Sequence, residues 1–258
     1  PVNVTNGVVP ANTTYTWTVA SNANVTGESA AATASNNISQ TLTNTTTSTE
    51  VVTYTVTPTS GICSGSTFSV VVTVNPIPVI ADVASTICTG SSFSVTPVNG
   101  TDLVPTGTTY TWTVAANANV TGESSVATAQ SSISQTLVNT SNSVETVVYT
   151  VTPSFGGCDG ETFEIAITVN PTPSIITQVT SACSGEAFSL SPTNGSGNIV
   201  PAGTTYTWTV VDNPNVVGET AANTAQTSIS QTLVNAYTTS QQVVYAVAPS
   251  AGLCVGLP

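Results

Sequence analysis

Apolar and polar residues alternate along several short segments of the middle of the chain, and a period of two predicts β-strands. The alternating segments are residues 92–97, 108–114, 132–138, 146–152 and 162–169. A further strand is expected within residues 79–85. One face of these segments carries Val, Ile, Phe, Tyr or Trp and the other mainly Thr and Ser, with Gly, Pro and Asn turns between them. The pattern predicts an all-β fold of two sheets packed face to face.

The pattern recurs along the whole chain. A Thr-Tyr-Thr-Trp-Thr-Val string begins at Thr14, Thr109 and Thr205, with spacings of 95 and 96 residues. Ile-Ser-Gln-Thr-Leu likewise recurs from Ile38, and a Tyr-x-Val pair from Tyr54. A fixed period of this kind indicates tandem structural units. One period is close to the roughly 100 residues of an immunoglobulin-like sandwich.

Proline marks the boundaries between the units. Asn75-Pro76-Ile77-Pro78 and Asn170-Pro171-Thr172-Pro173 follow strongly alternating runs, and alternate prolines favour an extended connector. The chain therefore divides into repeat 1 (residues 1–76), repeat 2 (77–171) and repeat 3 (172–258). Pro1 aligns with Pro97, so repeat 1 is expected to lack its first strands and repeat 3 its last strand, as in a window from a longer array.

The aromatic residues define a core signature for each repeat. An immunoglobulin-like sandwich buries a Trp on its third strand and places a Tyr near a late core position. Val95 and Val151 stand where that fold often has an inter-sheet disulfide. The expected core residues are Tyr15, Trp17, Tyr54, Tyr110, Trp112, Tyr149, Tyr206, Trp208 and Tyr245.

Composition narrows the possible functions. Charged residues are 5% of the chain, and the absence of Lys, Arg and His leaves a net charge of −12. Without cations the chain cannot neutralise phosphates, so nucleic-acid binding is excluded, as is adhesion to anionic lipid through a basic patch. The usual general bases and Schiff-base amines are also missing. No apolar run approaches the roughly 18 residues of a membrane helix. We expect neither membrane insertion, nor enzymatic activity, nor a cofactor.

The combined pattern resembles a known class of repeat. Cys88-x-Gly90-x-x-Phe93-Ser94-Val95, Tyr110-Thr111-Trp112-Thr113-Val114, Val148-Tyr149-Thr150-Val151-Thr152-Pro153, Cys158 and Thr168-Val169-Asn170-Pro171 are similar to PKD-like or Ig-like repeats of giant Bacteroidetes surface adhesins. The resemblance covers the whole chain and includes the mobile adhesins of gliding bacteria. It implies export by the type IX secretion route, display on the cell surface and a role in adhesion or gliding. It brings no catalytic residues.

Cysteines occupy two positions in the period. Cys63, Cys158 and Cys254 lie late in their repeats, and Cys88 and Cys183 lie early. An exported chain should have them oxidised. The simplest pairing is within repeats, as Cys88–Cys158 and Cys183–Cys254. In standard sandwich topology, however, these positions lie at opposite ends. Pairing across the connector, as Cys63–Cys88 and Cys158–Cys183, and pairing between non-adjacent copies remain open.

Two groups of polar residues are candidate sites. Asn117-x-Asn119-x-x-x-Glu123 recurs from Asn22 and Asn213 and offers oxygen ligands for calcium, although one carboxylate per loop favours a turn over a metal site. Glu161 and Glu164 are the closest carboxylates for acid–base chemistry, and their single placement favours a solvated face. The sequence thus predicts no metal site.

Three functions are compatible with this sequence. The first is a structural stalk of a large extracellular, surface-displayed adhesin, in which each repeat contacts its neighbours and bundling with other copies is left open. The second is a carbohydrate-binding module, which needs an exposed aromatic platform. The third is a polymerising filament subunit completed by strand exchange through open sheet edges.

Overall fold

Alternating Val, Ile, Tyr and Thr produce extended strands throughout the chain. The computed structural model describes residue 1, residue 5 and residues 7–258, and strands, turns and loops account for all of these residues. Their arrangement confirms the predicted all-β class of tandem immunoglobulin-like sandwiches. No helix that could span a membrane occurs in this part of the chain.

The strands follow the same order in each repeat. In repeat 1 they are β1 (Thr14–Val19), β2 (Val25–Thr26), β3 (Ala31–Ser35), β4 (Thr43–Asn44), β5 (Glu50–Ser60), β6 (Cys63–Ser64) and β7 (Phe68–Val74). In repeat 2 they are β8 (Val83–Cys88), β9 (Ser92–Val95), β10 (Thr109–Val114), β11 (Val120–Thr121), β12 (Val126–Gln130), β13 (Ile133–Thr136), β14 (Val138–Asn139), β15 (Glu145–Phe155), β16 (Cys158–Asp159) and β17 (Phe163–Asn170). In repeat 3 they are β18 (Ala187–Leu190), β19 (Thr205–Val210), β20 (Val216–Val217), β21 (Ala222–Gln226), β22 (Ile229–Thr232), β23 (Val234–Asn235), β24 (Tyr245–Ala251) and β25 (Cys254–Val255).

Repeat 2 shows the architecture most fully. Its larger sheet has the order β12-β10-β15-β17-β8, and β16 adds a short hairpin to β15. The neighbouring pairs in this sheet are antiparallel except β8 with β17, which run parallel over six residue pairs from Val83↔Ile165 to Cys88↔Asn170. Strands β9 and β13 form a separate antiparallel pair. Phe93 on β9 contacts Tyr149 on β15, with ring centroids 5.3 Å apart, so the two sheets enclose one core.

The core of repeat 2 is filled by the inward face of the alternating strands. Tyr149, Val151, Ile165, Ile167 and Val169 are fully buried. Burying side chains of this size contributes about 1.5–3 kcal/mol each, which makes these strands the main source of stability. Trp112 pairs across the sheet with Val151, the position where related sandwiches often carry cysteine.

The first strand lies further along the chain than the sequence predicted. Residues 79–85 were expected to contain it, but β8 begins at Val83 and ends at Cys88. Val79 instead makes an isolated bridge with Leu103, because the chain has just left the Pro78 connector and has not yet reached the edge of β17. Strand β12, which sequence reasoning missed, is mostly exposed and therefore carries little apolar alternation.

Repeat 3 leaves part of its core uncovered. No strand within residues 172–258 pairs with β24 in the way that β17 pairs with β15. Consequently Tyr245 is only half-buried, whereas its counterpart Tyr149 is buried. Strand β24 also begins only at Tyr245, although the corresponding strand β15 begins at Glu145. The preceding residues Gln242 and Val244 are held instead through their carbonyl oxygens, which accept hydrogen bonds from Asn213 Nδ2 at 3.0 Å and from the Val211 backbone N–H at 3.5 Å.

Candidate functional site: the junction between repeats and the polar core network

The proline connectors are packed into the structure. Pro76, Pro78, Pro171 and Pro173 are buried. In repeat 2 the carbonyl oxygen of Pro78 lies against Gly160, where a Cβ would clash with it, and Pro173 lies against Gly256 in the same way. Glycine is therefore required where each connector crosses the end of the repeat that it enters.

A hairpin of each repeat reaches back to the repeat before it. Asn75, at the end of repeat 1, donates a hydrogen bond from Nδ2 to the carbonyl oxygen of Gly156, at 3.0 Å, in the turn between β15 and β16. The Asn75 Oδ1 atom accepts a hydrogen bond from the Thr49 hydroxyl, also at 3.0 Å. A Cβ at Gly156 would clash with the Asn75 side chain, so the turn and the preceding repeat fit closely.

The junction between repeats 2 and 3 carries a covalent bond at the corresponding hairpin. Cys88 of repeat 2 forms a disulfide with Cys254 of repeat 3, with a Cα–Cα distance of 5.6 Å and a sequence separation of 166 residues. Cys88 lies beside Asn170, the last residue of β17, and Cys254 lies in the β24–β25 hairpin that corresponds to the β15–β16 hairpin. The bond therefore joins the end of repeat 2 that faces repeat 3 to the hairpin of repeat 3 that lies at the same junction.

The structure differs here from the pairings expected from the sequence. The pairing is neither Cys88–Cys158 with Cys183–Cys254, nor a link across the connector, nor a link between non-adjacent copies. Cys63, Cys158 and Cys183 are in no disulfide among the described residues. The physical reason is the course of β17, which starts near the hairpin of Cys158 and ends beside Cys88. Its eight residues place the two cysteines at opposite ends of the repeat, roughly 25 Å of strand apart.

The core signature residues lie where the sheets meet. Eight of them are buried: Tyr15, Trp17, Tyr54, Tyr110, Trp112, Tyr149, Tyr206 and Trp208. Tyr245 is half-buried because repeat 3 lacks the covering strand within residues 172–258. The indole N–H groups of Trp17, Trp112 and Trp208 and the hydroxyl groups of Tyr54, Tyr149 and Tyr245 have hydrogen-bond partners that sequence reasoning did not identify.

Gln135 links Tyr149 and Trp112, two of the three signature aromatics of repeat 2, through a shared acceptor. Its Oε1 accepts a hydrogen bond from the Tyr149 hydroxyl at 2.9 Å. Its Nε2 donates to the carbonyl oxygen of Ser124 at 2.7 Å, and Trp112 Nε1 donates to the same oxygen at 2.9 Å. The network thus ties strands β10, β13 and β15 together through polar contacts at the edge of the core.

The same network occurs in the other repeats. Tyr54 donates to Gln40 at 2.6 Å, and Tyr245 donates to Gln231 at 2.7 Å. The recurrent Ile-Ser-Gln-Thr-Leu string was the available signal, because its glutamine keeps its place in all three copies. Since buried polar groups cost free energy unless they are paired, this glutamine is a structural requirement of the repeat.

Tyr149 remains protonated well above the usual range of tyrosine. Burial of the phenol raises its pKa, and the nearby negative charge of Glu123 raises it further. Glu123 accepts a hydrogen bond at Oε1 from the Asn117 backbone N–H, at 3.2 Å. Its other carboxylate oxygen is buried without a hydrogen-bond partner among the described residues, as are those of Glu28 and Glu219.

The Asn117 loop is a hydrogen-bonded turn built around Glu145. Asn117 Nδ2 donates to Glu145 Oε2 at 3.1 Å and to the carbonyl oxygen of Thr146 at 3.2 Å, which fixes the orientation of the amide. Asn119 Nδ2 donates to Glu145 Oε1 at 2.9 Å. Amide nitrogens rather than oxygens therefore face the carboxylate, and nitrogen donors of this kind do not bind calcium.

Repeat 3 shows that this turn does not need a carboxylate. Gln241 stands at the position of Glu145, and its Oε1 accepts a hydrogen bond from Asn215 Nδ2 at 3.1 Å. A neutral acceptor thus replaces the charged one. Among the described residues, no group of three or more His, Cys, Asp or Glu side chains could hold a metal ion.

The candidate acid–base pair is not brought into a cleft. Glu161 and Glu164 are both exposed. The Glu164 backbone N–H donates to Asp82 Oδ1 at 2.7 Å, which ties β17 to the residue preceding β8. These carboxylates lie on the solvated edge of the sheet.

The repeated fold and its conserved internal network agree with a comparison against protein families. The model of the PKD-like domain matches residues 2–78, 85–173 and 176–258. The chain belongs to the PKD-like domain family. Each of its PKD-like repeats thus corresponds to one matched segment. A search of curated proteins gives no match.

The solved structures whose chains follow a similar path have low sequence identity and low TM-scores. An endo-fucoidan hydrolase, MfFcnA4 of glycoside hydrolase family 107, is 13% identical with a TM-score of 0.26 over 93% of this chain, which spans 37% of the hydrolase. Yersinia pseudotuberculosis InvD is 13% identical with a TM-score of 0.26, over 95% of this chain and 76% of InvD. Bacteroides ovatus SGBP-B, solved with a mixed-linkage heptasaccharide, is 14% identical with a TM-score of 0.19, over 92% of this chain and 54% of SGBP-B. At such low TM-scores these similarities say nothing about the function of the PKD-like repeats.

The raised pKa of Tyr149 predicts that stability falls at high pH. The unfolded chain loses the phenolic proton near pH 10, whereas the folded repeat retains it above that value. The folded state therefore binds more protons over this interval, and the free energy of unfolding decreases as the pH rises above about 10. Chemical unfolding of the oxidised chain at a series of pH values measures the effect.

The matched variant for this test is Tyr149→Phe, which has no phenol to titrate. Its stability at neutral pH should be lower by about 1 kcal/mol, because Gln135 loses a hydrogen bond. Its decline above pH 10 should be shallower than that of the unmodified chain. Equal slopes for both proteins would contradict the assignment.

The turn at Glu145 predicts different results for two substitutions. Hydrogen bonds from Asn117 and then Asn119 lower the pKa of Glu145. The turn is therefore most stable at pH values above the ordinary carboxyl pKa, and it loosens as the pH falls through the lowered pKa. Glu145→Gln should keep the turn, as Gln241 does in repeat 3, and should remove this acid dependence. Glu145→Ala should raise hydrogen exchange of the turn amides of residues 117–123 at neutral pH. Equal exchange in both variants would contradict the proposed hydrogen bonds.

Proposed function

We propose that the chain is a structural segment of the stalk of a large bacterial adhesin, which is secreted or displayed on the cell surface and serves adhesion or gliding motility. The observation that carries the proposal is the junction between repeats 2 and 3, where a buried proline connector and the Cys88–Cys254 disulfide fix neighbouring sandwiches. A protein that only had to bind a ligand would not need its repeats joined in this way. A spacer under tension would.

The chemistry of the surface supports the same proposal. The outward faces carry mostly Thr, Ser and Asn, and the chain has a net charge of −12 without a single Lys or Arg. Like charge of this kind keeps neighbouring stalks apart and limits nonspecific association. The disulfide fits an oxidising extracellular location. Export by the type IX route is part of the proposal, on the resemblance of the repeats to surface adhesins.

We also propose that the chain is not an enzyme. Glu161 and Glu164 are exposed, and neither carboxylate lies in a cleft beside a second acid–base group. PKD-like repeats are typically non-catalytic. The polar side chains at the edge of each core, such as Gln135, are engaged in structural hydrogen bonds. No cofactor is required by these contacts.

Deletion of one period in the source bacterium tests the stalk. Removal of residues 77–171 should leave the protein on the cell surface, reduce the height of the surface filament seen by electron microscopy, and weaken adhesion only in part. The reason is that a spacer contributes length and not specific contacts. The matched control is Tyr237→Ala, which removes an exposed aromatic side chain of repeat 3 and should leave adhesion unchanged.

The opposite result would favour carbohydrate binding. If Tyr237→Ala abolished adhesion while the filament kept its height, the aromatic side chain would be a glycan platform and the stalk proposal would be wrong. Loss of adhesion after the deletion with unchanged filament height would contradict it as well.

A second candidate is a filament subunit completed by strand exchange, and one feature of repeat 3 favours it. A groove of about 690 Å³ lies beside β24, lined by Ile175, Phe188, Leu190, Tyr245 and Val247 among others. In repeat 2 the corresponding place is filled by Phe163, Ile165, Ile167 and Val169 of β17. A strand with this alternation, supplied by another copy, would close the core of repeat 3.

A peptide with the sequence of residues 162–170 tests this second candidate. If the chain polymerises through the groove, sedimentation should show oligomers that the peptide dissociates, and the amides of residues 241–247 should become protected from exchange. A control peptide carrying the I165N and I167N changes should do neither, because it cannot fill the apolar groove. A purely monomeric chain would exclude strand exchange.

A further inference from the structure

The Cys88–Cys254 disulfide has a mechanical consequence that depends on which part of the chain lies between the two cysteines. The bond links residues separated by 166 positions, and it encloses strands β9 to β24 completely. Repeat 3 lies within this loop from its connector to its last hairpin, and repeat 2 lies within it except for β8. When the two ends of the chain are pulled apart, tension passes from Cys254 directly to Cys88.

We propose that this disulfide is a covalent bypass that removes both sandwiches from the path of the force. The loop contains roughly 560 Å of extended chain, at about 3.4 Å per residue, and none of it can be drawn out while the bond is intact. In repeat 2 only β8 remains on the path, held along its length by the parallel ladder with β17. The inference deepens the proposed stalk function, but the bond and its mechanics are properties of the isolated chain.

The same geometry recurs at the other cysteines. Cys63, Cys158 and Cys254 occupy one position in the late hairpin, opposite Ser60, Phe155 and Ala251 respectively. Cys88 and Cys183 likewise share one turn, in which the carbonyl oxygen of each accepts a backbone hydrogen bond at 3.0 Å from the residue three positions later. The late hairpin of repeat 2 is docked on repeat 1 through the bond of Asn75 to Gly156, as the bypass requires.

A single rule accounts for these positions: the early cysteine of one repeat bonds to the late cysteine of the next. Residues 1–258 contain one such pair, Cys88 and Cys254. Wherever the array continues, Cys63, Cys158 and Cys183 pair by the same rule with cysteines of other repeats. The force then runs through short segments such as Cys158 to Cys183, which are 25 residues apart, instead of through whole sandwiches.

The chemistry of the bond is ordinary thiol–disulfide exchange. The two cysteine thiols give up two protons and two electrons to a disulfide oxidant of the exporting compartment, which leaves as a dithiol. Reduction by an added dithiol reverses the step. The bypass is therefore present only in an oxidising environment.

Single-molecule stretching of the full chain, held at its two ends, tests the mechanical part. The oxidised protein should release at most roughly 300 Å of contour, from the residues outside the bond, and a dithiol reductant should add roughly 560 Å. Cys254→Ser should show the longer extension without reductant. The matched control Cys183→Ser should keep the bypass. Full extension of the oxidised, unmodified chain would overturn the proposal.

Disulfide mapping tests the pairing rule independently of any function on the cell. Because the chain has no Lys or Arg, the digestion uses chymotrypsin or pepsin. The oxidised chain should yield a Cys88–Cys254 peptide pair and three titratable thiols, and in Cys254→Ser the Cys88 thiol should stay free rather than bond to Cys158. A Cys88–Cys158 pair would overturn the rule.

Disulfide mapping of protein isolated from the source cells tests whether the pairing rule extends along the array. There Cys63, Cys158 and Cys183 should be bonded to cysteines of other repeats. Titratable thiols at these three positions would contradict the extension. If the stalk proposal failed in the cell experiments, both disulfide maps and the stretching result would be unchanged. The stalk proposal and the disulfide bypass can therefore fail separately.

Discussion

The parallel pairing of β8 with β17 decides how the core of repeat 2 closes and where its early cysteine lies. It closes the sheet of repeat 2 and completes the burial of Ile165, Ile167 and Val169. It also carries Cys88 to the far end of the repeat, beside Asn170, where the next repeat begins. In repeat 3, where residues 172–258 provide no such pair, the core stays open and the strand β24 is shorter.

The chain achieves its stability with almost no use of charge. Without Lys or Arg it has no side-chain cations for ion pairs, so the polar contacts are amide, hydroxyl and carboxylate hydrogen bonds. Gln135 accepts a hydrogen bond from the Tyr149 hydroxyl, the Ser124 carbonyl oxygen accepts one from Trp112, and Asn117 and Asn119 close the neighbouring turn. In repeat 3, Gln241 stands at the position of Glu145 and accepts a hydrogen bond from Asn215, so a neutral acceptor can serve there. Neutral networks of this kind are insensitive to salt, in contrast to surface ion pairs.

Sequence reasoning identified the strands whose side chains alternate strongly, because alternation reports directly which residues face the core. It therefore predicted Trp112 and Tyr149 as core residues, and both are buried in repeat 2. It also predicted connectors at Pro76 and Pro171, and both prolines are buried. Alternation does not report which strands are neighbours. The parallel contact of β8 with β17 joins residues about 82 positions apart, and no local signal specifies it. The start of β8 was consequently misplaced.

The same limit explains the cysteines and the glutamine. The spacing of the cysteines revealed two positions per period, and standard topology already separates these positions. Only the structure shows that the end of β8 meets the β24–β25 hairpin of repeat 3, where Cys88 bonds to Cys254. Gln135 was overlooked because glutamine on a strand ordinarily faces solvent, and only the packed structure shows that its amide accepts from the Tyr149 hydroxyl and donates to the Ser124 carbonyl oxygen. The internal repeat was the available clue, since a residue kept in three copies has a shared role.

The disulfide also changes what a broken backbone would mean. A cut at any single peptide bond between Cys88 and Cys254 opens a ring instead of severing a line, since the two fragments stay joined through sulfur. The exposed loops of repeats 2 and 3 can therefore be nicked by a protease without release of the distal part of the molecule. A chain built in this way tolerates damage in the environment outside the cell, where it cannot be resynthesised in place.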